Sequence, residues 1–383
     1  MSISFSPTAR SILGLTAAIC LVPMAMGQKK DPEPDAAKSG AFQRVPSNHP
    51  GLITDLAMGL WGWPIPCDRN GDGRSDLILV AAASPTKGTY YFENTGKRDP
   101  GTGAEIFRAG VRISEGANDV TPSYTPDGLR VMTPGFEYPD FLQTGLTKKK
   151  KLPLDLASTH VTTGRIRGNQ WSLADFDGDG VQDLVIGVGD WTDYGWDNAY
   201  DANGRWTNGP LHGFVYVRRN TGTNASPVYA DAIRLQADGR DIDLYGIPSP
   251  VFADFRGAGK LDLICGEFVD GLTFFENIGT REKPAYAPGH RLTFEGKPIT
   301  MPVEMIVATA YDWNRDGRTD LVVSQEDGST AWLENTGQTE NVTDNTGKII
   351  AVIPQFKPPQ FFRQEAADLK FGVLTTPVTV DWN

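Results

Sequence analysis

Four stretches of the chain begin and end on aspartate eight residues apart, and three of them place an oxygen-bearing side chain at positions 1, 3, 5 and 9. Asp68-Arg69-Asn70-Gly71-Asp72-Gly73-Arg74-Ser75-Asp76 is the first, and Asp175 to Asp183, Asp254 to Asp262 and Asp312 to Asp320 repeat its frame. Oxygens at loop positions 1, 3 and 5, a backbone carbonyl at 7 and a carboxylate at 9 can wrap a hard cation such as calcium, and glycine at 6 permits the sharp turn. The expected ligands are Asp68, Asn70, Asp72, the Arg74 carbonyl and Asp76 in the first loop. In the second they are Asp175, Asp177, Asp179, the Val181 carbonyl and Asp183, and in the fourth Asp312, Asn314, Asp316, the Arg318 carbonyl and Asp320. The third loop carries Arg256 and Ala258 at positions 3 and 5, which removes two oxygens and adds a positive charge. Calcium is not expected there. Arg256 is expected to pair with Asp254 or Asp262 instead, a fixed cation in place of a bound one. Three calcium ions per chain follow, and a structural role, since each ion would pin a turn and leave no evident open coordination position.

An apolar run follows each loop at once: Leu77-Ile78-Leu79-Val80, Leu184-Val185-Ile186-Gly187, Leu263-Ile264-Cys265-Gly266 and Leu321-Val322-Val323-Ser324. Short runs of this kind, bounded by Asp or Gly, predict buried strands. A second strand then ends in a shared tag, at Tyr90 to Gly96, Val215 to Gly222, Phe274 to Gly279 and Trp332 to Gly337. Further strands are expected near Phe107, Tyr229, Tyr286 and Phe361. With the strand that leads into each loop, every repeat supplies four strands. The expected fold is all-β, a β-propeller of four-stranded blades. A content of 42 Gly and 27 Pro in 383 residues supplies the many turns such a chain needs.

In these motifs, an Asp-x-Asp/Asn-x-Asp-Gly-x-x-Asp loop running into Leu-Val/Ile with Glu-Asn-Thr-Gly downstream, the chain resembles the FG-GAP/VCBS repeat family. That family includes the propeller of the integrin α-subunit head and many exported bacterial proteins. The resemblance spans residues 52–383 and implies a calcium-binding propeller with four recognisable repeats. It implies little about activity, because propellers host unrelated functions. Asp368 to Asn383 matches Asp55 to Asn70 in register, which predicts the start of a fifth repeat. The propeller is then expected to be incomplete at its C-terminal end, with ring closure by the terminal strand as the alternative.

Arg10 is the only charge in the first 27 residues, Ile12 to Met26 is apolar or small, and Ala25-Met26-Gly27 offers a cleavage site. Residues 1–27 therefore read as a signal peptide and 28–50 as a flexible leader. The expected product is secreted, periplasmic or displayed on the cell surface. No later segment has the ~18 apolar residues that a membrane-spanning helix needs. A net charge of −11 argues against nucleic acid as a partner. After cleavage Cys67 and Cys265 remain, in different repeats, and are expected as buried thiols.

Loops joining strands 1 and 2 carry the Asp motif in this resemblance, so the other connections emerge at the opposite end of the sheets. There the second repeat inserts Trp191, Asp193, Tyr194, Trp196, Tyr200 and Trp206. Flat rings beside carboxylates suit a carbohydrate; equally, the rings could pack as the loop's own core. Glu267 and Asp327 lie in equivalent turns and extend the same rim. The segment from Ser114 to Gln170 reads as a second long connection on that rim. Extracellular polysaccharide or protein is thus the expected partner. Two other classes stay open: a polysaccharide-cleaving enzyme and a structural or adhesive module. For cleavage, His160, His212 and Tyr245 could act as base and acid beside Arg165 or Arg167, or Asp193 and Glu267 as paired carboxylates.

Overall fold

The computed structural model describes residues 51–83, 86–154 and 164–366. The signal peptide, the leader, the repeat match at Asp368 to Asn383 and His160 lie outside the described residues. Among the described residues the helical content is a single turn at Phe141–Thr144 followed by a 3-10 turn at Gly145–Thr147. All other regular elements are strands, so the protein is all-β.

Four sheets follow the plan expected from the repeats. Gly62–Cys67, Asp76–Ala81, Gly88–Phe92 and Val111–Ser114 form the first antiparallel ladder. Ile166–Ala174, Asp183–Asp190, His212–Arg218 and Ile233–Arg234 form another. Ser249–Ala253, Asp262–Gly266, Leu272–Phe275 and His290–Arg291 follow, and then Val307–Tyr311, Asp320–Ser324, Thr330–Leu333 and Gln360–Phe361. In each, the Asp loop joins strand 1 to strand 2, and the second strand is almost wholly buried. This is why the second strands carry aliphatic runs with no alternation.

The segment 114–170 departs from expectation. It is not a long connection but contains a four-stranded sheet of its own, Thr121–Thr125, Gly128–Thr133, Phe136–Glu137 and Lys150–Lys151. Its first hairpin closes between Thr125 and Gly128, with Gly128 at φ 108°, where the other sheets use the acidic loop. Without that loop there is no motif to announce the sheet. The strand expected near Phe107 is present at Glu105–Phe107 but pairs with Asn94–Arg98 and Arg363–Glu365. The fourth strands run at Val111–Ser114, Ile233–Arg234 and His290–Arg291, a few residues past Phe107, Tyr229 and Tyr286, whereas Phe361 is where it is expected.

The first strands of the five sheets are neighbours in chain order, and the last, Val307–Tyr311, also packs against the first, Gly62–Cys67. Side chains stitch these neighbours together. Tyr124 Oη donates to the Pro66 carbonyl at 2.6 Å, Ser123 Oγ accepts from the Leu173 N–H at 2.8 Å, and Thr309 Oγ1 donates to the Pro64 carbonyl at 3.0 Å. Ser249 Oγ accepts from Ala308 at 2.9 Å and donates to the Ile306 carbonyl at 3.1 Å. A cavity of about 540 Å³ lies between the first strands, lined by Tyr124, Gln170, Ser172, Phe252 and Tyr311 among others. Ile53–Asp55 pairs antiparallel with Arg363–Glu365, so the two ends of the described chain share a sheet. Cys67 and Cys265 are buried free thiols, and burial raises the pKa of both.

Candidate functional site

Each Asp loop is closed by the same backbone pair, the residue before position 1 opposite the aspartate at position 9: Cys67 with Asp76, Ala174 with Asp183, Ala253 with Asp262, Tyr311 with Asp320. That aspartate is fully buried in all four. One of its oxygens accepts the backbone N–H of the tag asparagine, at 2.9, 2.7, 2.8 and 2.7 Å from Asn94, Asn220, Asn277 and Asn335. In turn, each asparagine Oδ1 accepts the N–H of the glycine two residues on, at 2.9 to 3.0 Å. The tag is therefore a clamp on position 9, and its Asn-x-Gly spacing is an Asx-type turn. Burial pushes the Asp183 and Asp320 carboxyls up to about 6.

Within the loops, position 1 accepts from position 6, position 3 from position 5, and position 5 from position 7. In the first loop these bonds are Gly73 to Asp68 at 3.0 Å, Asp72 to Asn70 at 3.0 Å and Arg74 to Asp72 at 2.9 Å. The fourth loop repeats them at 2.9, 3.1 and 2.9 Å through Gly317, Asp316 and Arg318. Such bonds use outward lone pairs of the carboxylates. Asp68 Oδ1, Asp175 Oδ1 and Asp177 Oδ1 are buried and have no hydrogen-bond partner. In the second loop Asp175, Asp177 and Asp179 each bring an oxygen within 4.8 Å of the others, a group that could hold a metal ion. All of these donors are hard oxygens, the set that calcium prefers and a softer transition metal does not. The third loop is closed as the sequence predicts. Arg256 makes a bidentate pair with Asp262, at 2.8 and 2.9 Å, and its third nitrogen reaches Glu276 at 2.7 Å.

At the opposite end, the insertion between His212 and the strand ending at Asp190 is folded around its own aromatics. Trp191 is 7% exposed and packs edge-to-face against Tyr194 and Phe268, with the Arg167 guanidinium 4.7 Å above its ring. Trp191 thus has no face free for a ligand, which corrects its placement in an exposed platform. Tyr194 stacks on Trp206 at 4.6 Å, and Tyr200 meets Trp206 edge-on. Trp196 and Tyr200 are 59% and 60% exposed and remain on the surface, with Tyr245 at 47%. The Arg165 guanidinium lies 4.9 Å from the Trp196 ring.

The acidic rim residues are largely spent on turns. Asp327 accepts from the Ser329 N–H at 2.9 Å and Oγ at 2.7 Å, and Glu267 accepts from Thr273 Oγ1. His212 is held by Asp243 at 2.7 Å through Nδ1, has Asp193 3.5 Å from Nε2, and stacks on Phe214. No hydrogen bond among the described residues joins His212 to Tyr245. With a carboxylate at each ring nitrogen, His212 ties Asp243 to Asp193 across the insertion. The guanidinium of Arg219, which reaches into the second Asp loop, is a feature that the sequence reading missed. Its signal was the break in the tag, where Arg219 replaces the glutamate of Glu93, Glu276 and Glu334.

No protein-family model matches the chain, and no curated protein matches it.

Proposed function

We propose that the chain is an exported, calcium-stabilised β-propeller of the FG-GAP/VCBS type that binds an extracellular glycan at the rim opposite its Asp loops. The observation that carries the calcium reading is the set of buried, partnerless carboxylate oxygens of Asp68, Asp175 and Asp177, with Asp175, Asp177 and Asp179 gathered most closely. Calcium at the first and second loops would supply the charge these oxygens lack, and the fourth loop joins them on its matching residues and hydrogen bonds. The propeller reading is supported by five sheets of four or five strands whose first strands neighbour one another in a cycle, four of them lining one cavity. Export rests on the charge and apolar pattern of residues 1–27.

The glycan reading is narrower than the whole aromatic insertion. It rests on Trp196, Tyr200 and Tyr245, whose exposed rings are the kind of flat apolar surface that stacks on a sugar. Metal analysis of the purified chain before and after chelation, paired with a polysaccharide binding panel, tests both halves. Three calcium ions and saturable binding to at least one polysaccharide are expected. Absence of calcium refutes the first half, and an empty panel refutes the second. Formation of unsaturated products in the same incubations would replace binding with cleavage.

A further inference from the structure

The second and third repeats exchange the two halves of one ion pair. In the third repeat the cation is at loop position 3, Arg256, and the anion is in the tag, Glu276. In the second repeat the anion is at position 3, Asp177, and the cation is in the tag, Arg219. Both guanidinium groups also touch the buried aspartate at position 9, Arg256 at 2.8 Å from Asp262 and Arg219 at 3.1 Å from Asp183. The first and fourth repeats have no ion pair at position 9 among the described residues: Arg74 and Arg318 each touch the position-5 aspartate of their own loop, Asp72 and Asp316, and Arg315 reaches Asp68 at 3.2 Å. These repeats have Asn70 and Asn314 at position 3, and their tag glutamates turn outward, Glu93 to Arg108 at 3.2 Å and Glu334 to Lys357 at 2.7 Å.

The two swapped loops differ in how completely the guanidinium satisfies them. Arg256 closes its loop fully: no oxygen of Asp254, Asp262 or Glu276 is among the buried groups without a partner. Arg219 does not, for Asp175 Oδ1, Asp177 Oδ1 and its own Nε all lack a hydrogen bond. Its Nη2 contacts Asp177 and lies 3.6 Å from Asp179. Arg219 thus touches three of the four side-chain ligands of the second loop, from the space on which they converge. A guanidinium and a calcium ion cannot share those oxygens, since calcium needs them at about 2.3 to 2.6 Å.

We infer that Arg219 is an internal cation that holds the second loop when calcium is absent, and that calcium binds this loop only by displacing it. The second site is then conditional: it fills at higher calcium than the first and fourth, although it has the most carboxylates. The aspartate at position 3 is the counterpart of Arg219 and not a device for tighter binding. This inference rests on the calcium reading proposed above.

Calorimetric titration of calcium into the chelated full chain tests it. The native chain should show two tight sites and a third at least tenfold weaker. Arg219→Gln should tighten the third site tenfold or more and lower the melting temperature in chelator, leaving the two tight sites unchanged. The double change Asp177→Asn with Arg219→Glu gives the second loop the pattern of the first and fourth, and should make all three sites alike. That variant keeps the test sound should Arg219→Gln fold poorly without calcium. A third site that stays weak, or weakens further, in both variants overturns the inference and leaves the calcium reading standing. Absence of calcium binding at every loop overturns both.

Discussion

At one end of the sheets four loops of equal length are closed by the same backbone pair and the same asparagine clamp, whereas at the other end one connection is far longer than its counterparts and no common clamp closes them. Residues 191–211 join the middle strands of one sheet, and only 267–271 and 325–329 do so in the next two. At the Asp end, backbone N–H groups donate to the loop side chains within each repeat, and Arg281 and Arg315 each reach from one repeat to the loop of another. The opposite end is packed with aromatics, Trp191 on Phe268 of the next repeat and Trp61 on its near neighbour Trp63. Regularity marks the end that sets the geometry of each sheet; variation marks the end free to acquire a ligand.

The largest expected effect tests whether the irregular end is also structural. Trp191→Ala removes a buried ring that belongs to the same core cluster as Trp63 and Ile247. It should cost about 3 to 5 kcal/mol, the range for a large aromatic that leaves a cavity. Urea denaturation measures this, and a loss under ~1 kcal/mol would mean the insertion is detachable. On the Asp end, Asp320→Ala strands the Trp313 and Asn335 N–H groups, which donate at 3.1 and 2.7 Å. Each buried unpaired donor costs about 1 to 3 kcal/mol, so for two a loss of roughly 2 to 6 kcal/mol in chelator is expected. Asp327→Ala, the matching turn at the other end, should cost ~1 kcal/mol because its Ser329 partners are only partly buried. Equal losses for the two aspartates would erase the contrast.

Calcium removal sharpens the comparison from another side. At 100-fold saturation each bound ion stabilises the folded state by about 2.7 kcal/mol. Melting in excess chelator should therefore drop, and proteolysis under the same conditions should cut the Asp loops before residues 191–211. An unchanged melting curve would mean the loops are closed by hydrogen bonds alone.

The sequence was informative where a motif is repeated and silent where it is not. Four Asp loops, four buried second strands and the Arg256 pairing with Asp262 follow from residue type and spacing, because each loop is closed by charged or oxygen-bearing side chains at fixed positions. The sheet beginning at Thr121–Thr125 was invisible, since a two-residue turn in place of the loop leaves only short strands with no shared motif. Tyr229 and Tyr286 were sound markers for the wrong reason: each bridges its tag asparagine, Asn220 or Asn277, and the fourth strand starts a few residues later. Burial of Trp191 could not be read either, because its partner Phe268 comes from the next repeat and Arg167 from the far side of the Asp loop in its own sheet.

The smallest stability change separates ligand surface from loop core within one insertion. Trp196 is exposed, and its one notable contact is the Arg165 guanidinium, a cation–π pair worth about 0.5 to 1 kcal/mol at an exposed site. Trp206 is half-buried, stacked on Tyr194 and bonded through Nε1 to the Gly209 carbonyl at 3.1 Å. Trp196→Ala should therefore lower stability by less than ~1 kcal/mol, while Trp206→Ala should lower it more and loosen the loop. Binding should rank the other way for direct contact: Trp196→Ala is expected to cost about 1 kcal/mol or more of glycan affinity with the melting curve nearly unmoved. Trp206→Ala should lose affinity only in proportion to the loop it unsettles. If Trp196→Ala leaves both quantities unchanged, the insertion is packing alone, and the exposed Tyr245 beside Phe268 becomes the next surface to test.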